Sequence, residues 1–456
     1  MESKDRPNIL FLLADDLGWG DVGFHDSEID TPNLDRLAAT GVELERHYVC
    51  PVCTPTRTSL LTGRHPGRFG PHATRPSNSP VLPDGYETLA GMLRESGYAT
   101  GLFGKWHLGS TPEVGPNHFG FDHAYGSLAG GVDPYNHRYK QGEFSVTWHR
   151  NGEFVEEPGH VTDLIVDEAV DWIERTDGPW FCYVPFTAVH IPVKAPQEFL
   201  DGYADRQYSD DPVLDLAHKR YYAYASQMDA GIGRLVEVLE RMCIRDRTIV
   251  IFSSDNGAMP NKSPQSVFLY PGYQQADPIP GSNLPWRGHK ATLYEGGIRT
   301  PALIHWQGTL DPGRMSIPVH IADWMPTFSK LLGCPASGDP QWDGVDIWPL
   351  IADGGAEAAA APVDYQARAI FWNLKENEFA IQKGEWKLIT RLDEGSENAE
   401  LYNLEEDPRE MRDVAPQHPE VVRELLKRIE DERQLDGVSR RPEVTSANVN
   451  DEDSEP

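Results

Sequence analysis

The chain has 456 residues, enough for a large core, and length alone suggests about two to three domains. Acidic residues outnumber basic ones 71 to 41, a formal net charge of −30, which repels nucleic-acid phosphates and anionic lipid and so argues against nucleic acid or membrane as a partner. Hydrophobic residues make up 39%, no run nears the roughly 20 apolar residues that cross a bilayer, and 5 cysteines are too few, and odd in number, for a disulfide scaffold.

The opening MESKDRPN carries no charged-then-apolar leader. The expected location is cytoplasmic as the sequence stands, or periplasmic or secreted if a leader has been removed. Asn8 to Ala14 (NILFLLA) is a short apolar run ending in Asp15 and Asp16, the pattern of a buried parallel strand opening onto a polar loop. Thr31 then suits a helix N-cap, Pro32 the first helical position and Gly41 the residue past the end.

The alternation continues with helices over 87–96, 163–175 and 221–241 and strands over 98–103, 180–186 and 248–252. Strands alternating with helices predict an α/β sheet covered by helices on both faces. Residues 353–361 turn to Gly, Ala and Glu and read as a linker or surface loop. Beyond it, 369–372, 378–383 and 386–390 predict short antiparallel strands, followed by a helix over 419–434. The expected organisation is a large α/β domain over 1–360, a small C-terminal α+β subdomain over 361–440, and a disordered acidic tail over 441–456.

Ligands of open α/β sheets bind at the carboxyl ends of strands. Four such ends carry Asp15 and Asp16, then Lys105 and His107 in GKWHLG, then His190, then Asp255 and Asn256. Asp15, Asp16, Asp255 and Asn256 offer only oxygen, which suits a hard cation, calcium before magnesium, and suits zinc poorly. Each pair alone is also what a helix cap or a turn would show. Cys53 lies where a helix begins, ahead of Pro55, with Arg57 one turn on, so an oxyanion at position 53 would meet free backbone N–H groups and positive charge. Cys50-x-x-Cys53 also admits a redox pair or half of a zinc site, although no second Cys/His pair with zinc spacing follows.

Cys53-Thr54-Pro55-Thr56-Arg57, the LTGR after it, the early ADDLGWGD and GKWHLG together resemble the sulfatase family of the alkaline phosphatase superfamily, over nearly the whole chain from Pro7 to the LYNLEEDPRE segment. The resemblance implies a large mixed, mostly parallel sheet with helices on both faces, and oxidation of Cys53 to formylglycine by a generating enzyme. It places the metal ligands on Asp15, Asp16, Asp255, Asn256 and the modified Cys53. The sulfate-binding and proton-transfer residues fall on Arg57, Lys105, His107, His190 and Lys290, with His289 as a further neighbour. The implied reaction passes through a covalent sulfo-enzyme, in which His190 or Lys290 protonates the leaving alcohol and His107 helps expel sulfate. These residues would form a local island of positive charge in an acidic protein.

The expected substrate is a sulfated carbohydrate, because RGHKATLYEGGIRTP and GFDHAYGSLAGGVDPY are similar to arylsulfatases of the N-acetylgalactosamine-4-sulfatase type. Asp133, Tyr135, His137 and Trp148 are candidates to line a sugar subsite. Two alternatives stand beside this reading: a phosphonate or phosphate monoester hydrolase of the same superfamily, and a non-catalytic protein that binds sulfated glycans. Either a monomer or a homodimer is expected.

Overall fold

A computed structural model describes residues 6–259, 270, 278–352, 364–365, 368–393 and 396–437. The expected linker over 353–361 and the acidic tail over 441–456 lie outside the described residues. No helix among the described residues is long and apolar enough to cross a membrane.

A ten-stranded mixed sheet forms the centre, in the order Gly313–Met315, Val42–Leu44, Leu303–His305, Thr248–Ser254, Asn8–Ala14, Trp180–Pro185, Ala99–Lys105, His123–Ser127, Trp148–Arg150, Glu153–Phe154. The five strands from Thr248–Ser254 to His123–Ser127 run parallel, and antiparallel strands flank them on both sides. Because strand residues point to alternate faces, the central strand feeds two cores. Leu10, Leu12 and Ala14 pack beneath the helices Val161–Arg175 and Pro212–Arg241. Ile9, Phe11 and Leu13 pack against Cys53–Thr62, Leu89–Glu95 and Trp324–Leu332. All six are fully buried, each side chain stabilising the fold by about 1.5–3 kcal/mol for the larger ones, which is why this strand reads as a continuous apolar run.

Several elements run further than periodicity predicts. The helix Pro212–Arg241 begins nine residues before 221, because Asp211 caps it by accepting from the Val213 N–H (2.8 Å) and Pro212 suits its first position. Val213 and Leu216 are exposed there, so no buried stripe marks the first turns. The strand Ala99–Lys105 runs past Phe103 through Gly104, whose φ is +134° and where a Cβ would lie 1.9 Å from the Pro185 carbonyl oxygen. Only glycine lets the two strands approach so closely, and the extension delivers Lys105 to the strand end.

The C-terminal region holds a four-stranded antiparallel sheet, Ala369–Leu374, Glu378–Lys383, Trp386–Asp393 and Ser396–Asn403, one strand more than the sequence predicts. One face takes Leu425 and Ile429 of the helix Pro419–Arg433. The other face sets Ile370, Trp372 and Leu374 against Tyr48, Val52, Leu293 and Ile298, and Trp372 Nε1 donates to the Val49 carbonyl at 2.9 Å. The small sheet therefore lies directly behind the loop that leads into Cys53.

Candidate active site

The parallel strands Thr248–Ser254, Asn8–Ala14, Trp180–Pro185 and Ala99–Lys105 are neighbours, so their carboxyl ends meet along one edge. Asp255 and Asn256, Asp15 and Asp16, His190, and Lys105 with His107 all emerge there. Asp16 and His107 adopt φ of +66° and +62°, a left-handed backbone rare outside glycine, where short polar residues are tolerated best. Asp16 is held in this turn by its N–H donating to Asp255 Oδ1 (3.2 Å).

Cys53 is the first residue of the helix Cys53–Thr62, every side chain of which is buried, and Gly63 ends it at φ +67°. Val52 gives no side-chain cap to the leading amides of this helix. Cys53 Sγ lies 3.2 Å from His107 Nδ1. Burial pushes the thiol up to about 11, against the pull of Lys105 and Lys290, so as a thiol it stays protonated and is a weak nucleophile at neutral pH. Cys50 is buried and contacts Ser59 Oγ at 3.6 Å, and all five cysteines are free, so the pair forms no disulfide.

The cationic side chains are each matched to a carboxylate. Arg57 Nη2 donates to Asp255 Oδ2 at 2.7 Å, and its Nη1 to the Lys105 carbonyl at 2.9 Å. Lys105 Nζ donates to Asp15 Oδ2 at 2.8 Å, and Lys290 Nζ stands 3.0 Å from the Asp16 carboxylate. Burial opposes charge on Lys105, but the Asp15 carboxylate beside it outweighs that and holds the ammonium above its ordinary value. His190 donates from Nδ1 to the Ile191 carbonyl (2.8 Å), which turns Nε2 toward Asp16 at 3.9 Å. His289 bonds locally, Nδ1 donating to the Lys290 carbonyl at 2.7 Å.

The island of positive charge expected from the sequence is thus neutralised pair by pair. Burial raises Asp15 well above the usual carboxylate range, and the neighbouring charges of Asp255 and Asp16 add to it against the pull of Lys105. A divalent cation is the charge that would reverse this. The donor set fits one. Asp15 Oδ1 and Asn256 Oδ1 are buried with no hydrogen-bond partner, while the Asn256 amide nitrogen donates to Asp16 Oδ1 at 2.8 Å, which aims its oxygen away. Ligand atoms of Asp15, Asp16 and His190 lie within 4.8 Å of one another, and no other such group of three occurs among the described residues. Asp255, expected as a ligand, has both oxygens already accepting from Arg57 and the Asp16 amide and would bind a cation through remaining lone pairs.

One contributor carries no signal in the sequence. A Cβ at Gly130 would sit 2.4 Å from His107 Nε2 and 2.5 Å from Cε1, so the bare backbone of Gly130 is the wall against which the imidazole rests. Gly130→Ala is expected to displace the ring from Cys53 and lower kcat about tenfold or more, with little change in the unfolding midpoint; unaltered kcat would show that the ring has room to move. Of the proposed sugar contacts, Trp148 is withdrawn from the surface. It is 2% exposed, with Nε1 donating to Glu157 Oε1 (3.1 Å) and Tyr125 Oη (3.3 Å). His137 is buried as well, Asp133 is buried and paired with Lys194, and Tyr135 alone of the four is open to solvent.

Carboxylate and amide oxygens apt for a hard cation, beside cationic groups and a helix N-terminus, suit a tetrahedral oxyanion, and a hydrolase of oxyanion esters is the class that this fold and site define. The model described as Sulfatase matches residues 7–334, and that described as N-sulphoglucosamine sulphohydrolase, C-terminal, matches 287–435. The chain belongs to the sulfatase family and is a sulfuric ester hydrolase. It is 32% identical to arylsulfatase J of Mus musculus, over 93% of this chain and 75% of that protein. It is 30% identical to the N-acetylgalactosamine-6-O-sulfatase of Bacteroides thetaiotaomicron, over 94% and 93%. The solved structure of Ps i-CgsB superimposes with a TM-score of 0.82 at 30% identity, covering 98% of this chain and 96% of that one. Sulfatases are in general formylglycine- and divalent-metal-dependent enzymes.

Proposed function

We propose that this chain hydrolyses sulfate monoesters of a saccharide, with Cys53 oxidised to formylglycine and one calcium ion held by Asp15, Asp16, Asp255 and Asn256 together with the modified residue 53. The observation that carries this reading is the pair of unpartnered buried oxygens, Asp15 Oδ1 and Asn256 Oδ1, beside a Cys53 that as a thiol suits neither a hard cation nor nucleophilic attack. The saccharide is supported by the relatives: the B. thetaiotaomicron enzyme is an N-acetylgalactosamine-6-O-sulfatase, and Ps i-CgsB has been solved with k-i-k-neocarrahexaose.

When bound, the cation would act as a Lewis acid, and a hydrated aldehyde at 53 would supply one hydroxyl for attack on sulfur and a second for regenerating the carbonyl. The remaining work falls to the chain's own groups. Arg57 favours the deprotonated form of the hydroxyl at residue 53, while Lys105, His190 and Lys290 face the sulfuryl oxygens and offset the charge that grows on them in the transition state. His190 Nε2 or Lys290 Nζ delivers a proton to the departing alcohol oxygen. His107 Nδ1, 3.2 Å from the side chain of residue 53, takes a proton from that residue to release sulfate.

Mass spectrometry of the peptide containing Cys53, from protein made in a host able to mature it, is expected to show the aldehyde. The same preparation is expected to cleave an aryl sulfate well ahead of the matching aryl phosphate. An unmodified thiol with no sulfate release would support a sulfated-glycan binder instead, and faster phosphate or phosphonate release would support the other hydrolase.

A further inference from the structure

Two motifs of the sequence, LYEGG after Lys290 and the DPRE that ends the C-terminal sheet region, find no use in the chemistry above, yet they meet in space. Lys387, in the strand Trp386–Asp393, is fully buried between two carboxylates, with Nζ 2.9 Å from Glu295 Oε1 and 2.8 Å from Glu410 Oε1. Glu410 Oε2 accepts from the Glu295 N–H at 2.7 Å, and Tyr48 Oη donates to Glu295 Oε2 at 2.9 Å. Arg287 closes the same junction from the other side, donating to the Glu410 carbonyl (2.7 Å) and to Tyr402 Oη (2.9 Å) while lying 3.9 Å over the Tyr294 ring.

The segment so gripped, 287–298, is the one that carries Lys290, and it touches the site at three further points. The Lys290 N–H donates to the Ala258 carbonyl (3.1 Å), the Ala291 N–H to the Pro51 carbonyl two residues before Cys53 (2.8 Å), and the Gly257 N–H beside Asn256 to the Gly297 carbonyl (3.1 Å). Its ends are drawn together by the Gly296 N–H donating to the Arg287 carbonyl at 2.7 Å. A displacement of Glu295 therefore moves Lys290, the metal-side Asn256 turn and the approach to Cys53 together.

We infer that Lys387, clamped by Glu295 and Glu410, is a positioning residue of the sulfate site, through which the C-terminal sheet sets the placement of Lys290. A buried ion pair is poor evidence for a stabilising role, since its desolvation cost rivals its attraction, and fixing one geometry is the role attested for such groups in other systems. The inference rests on the sulfatase reading for its kinetic consequence but not for its structural one.

The test compares Lys387→Met with Arg68→Met. Arg68 also ties the C-terminal region to the large domain, through Asp343, Glu432 and Asp436, without reaching 287–298. In Lys387→Met, hydrogen exchange across 287–298 is expected to rise, inhibition by inorganic sulfate to weaken, and kcat/KM for an aryl sulfate to fall about 10- to 100-fold. In Arg68→Met, at a comparable loss in unfolding midpoint, exchange in that segment, sulfate inhibition and kcat/KM are expected to stay near wild type. Equal losses in both variants, or unchanged exchange in Lys387→Met, would overturn the inference. Should Lys387→Met fail to fold, Glu410→Gln, which keeps an acceptor for the Glu295 N–H, is measured in the same way. A wild-type enzyme inactive on sulfate esters would sink the sulfatase reading, while the exchange comparison would still decide the role of Lys387.

Discussion

Cys53→Ser is expected to remove steady turnover, by on the order of 10⁴-fold or more, and to leave at most a stoichiometric quantity of sulfated protein, if residue 53 acts as the proposed formylglycine. A serine hydroxyl at the head of the helix Cys53–Thr62 keeps the leading amides, Arg57 and the neighbouring His107, so attack on sulfur is still open to it. What it lacks is a second oxygen on the same carbon, and without one the ester oxygen cannot collapse to a carbonyl and expel sulfate. Intact-protein mass after incubation with an aryl sulfate reads the outcome directly. Multiple turnovers at a rate near wild type would show that residue 53 is not the nucleophile.

Asp255→Asn is expected to weaken metal binding and cut kcat/KM, each by about 10- to 100-fold. Both carboxylate oxygens are in use, one toward Arg57 at 2.7 Å and one toward the Asp16 amide at 3.2 Å, so the substitution removes the counter-charge of a fully buried guanidinium and a proposed cation ligand at once. Burial works against the charge on Arg57 and Asp255 holds it in place, so the variant also loses stability, up to about 3–5 kcal/mol for a broken buried pair, with the retained amide oxygen reducing the loss. Calcium titration calorimetry of the metal-stripped protein and a thermal melt separate the two effects. Unchanged calcium affinity would remove Asp255 from the ligand set.

Much of the fold is legible because its central strands are buried on both faces. Asn8–Ala14 and Thr248–Ser254 read as unbroken apolar runs, and the acids that follow them mark where the strands end. The strands Leu303–His305 and Gly313–Met315 escape such reading, being three residues each and specified by pairing with Val42–Leu44 rather than by any pattern of their own. At the site, residue types and their order along the chain point to Asp15, Cys53, Lys105, His190, Asp255 and Lys290, which the strand ends bring to one edge of the sheet. The pairing among them is invisible there. That Lys105 answers Asp15, Arg57 answers Asp255 and Lys290 answers Asp16 follows only from the strand order, and it turns an apparent excess of positive charge into an electroneutral cluster. Gly130 and Lys387 are missed for a related reason: one matters by having no side chain, the other lies about 100 residues beyond Lys290, in a second sheet.

The cover over the loop before Cys53 also has a temporal meaning. Trp372, which seals Val49 from behind, is synthesised about 320 residues after Cys53, an interval of roughly 15–60 s at ribosomal speeds. Throughout it the nascent chain lacks the sheet that packs behind Tyr48 and Val52, the residues leading into Cys53, which is 2% exposed in the folded protein. If residue 53 is oxidised as proposed above, an enzyme acting on the thiol would find it most open before this sheet docks, and released protein would have to open again to be modified.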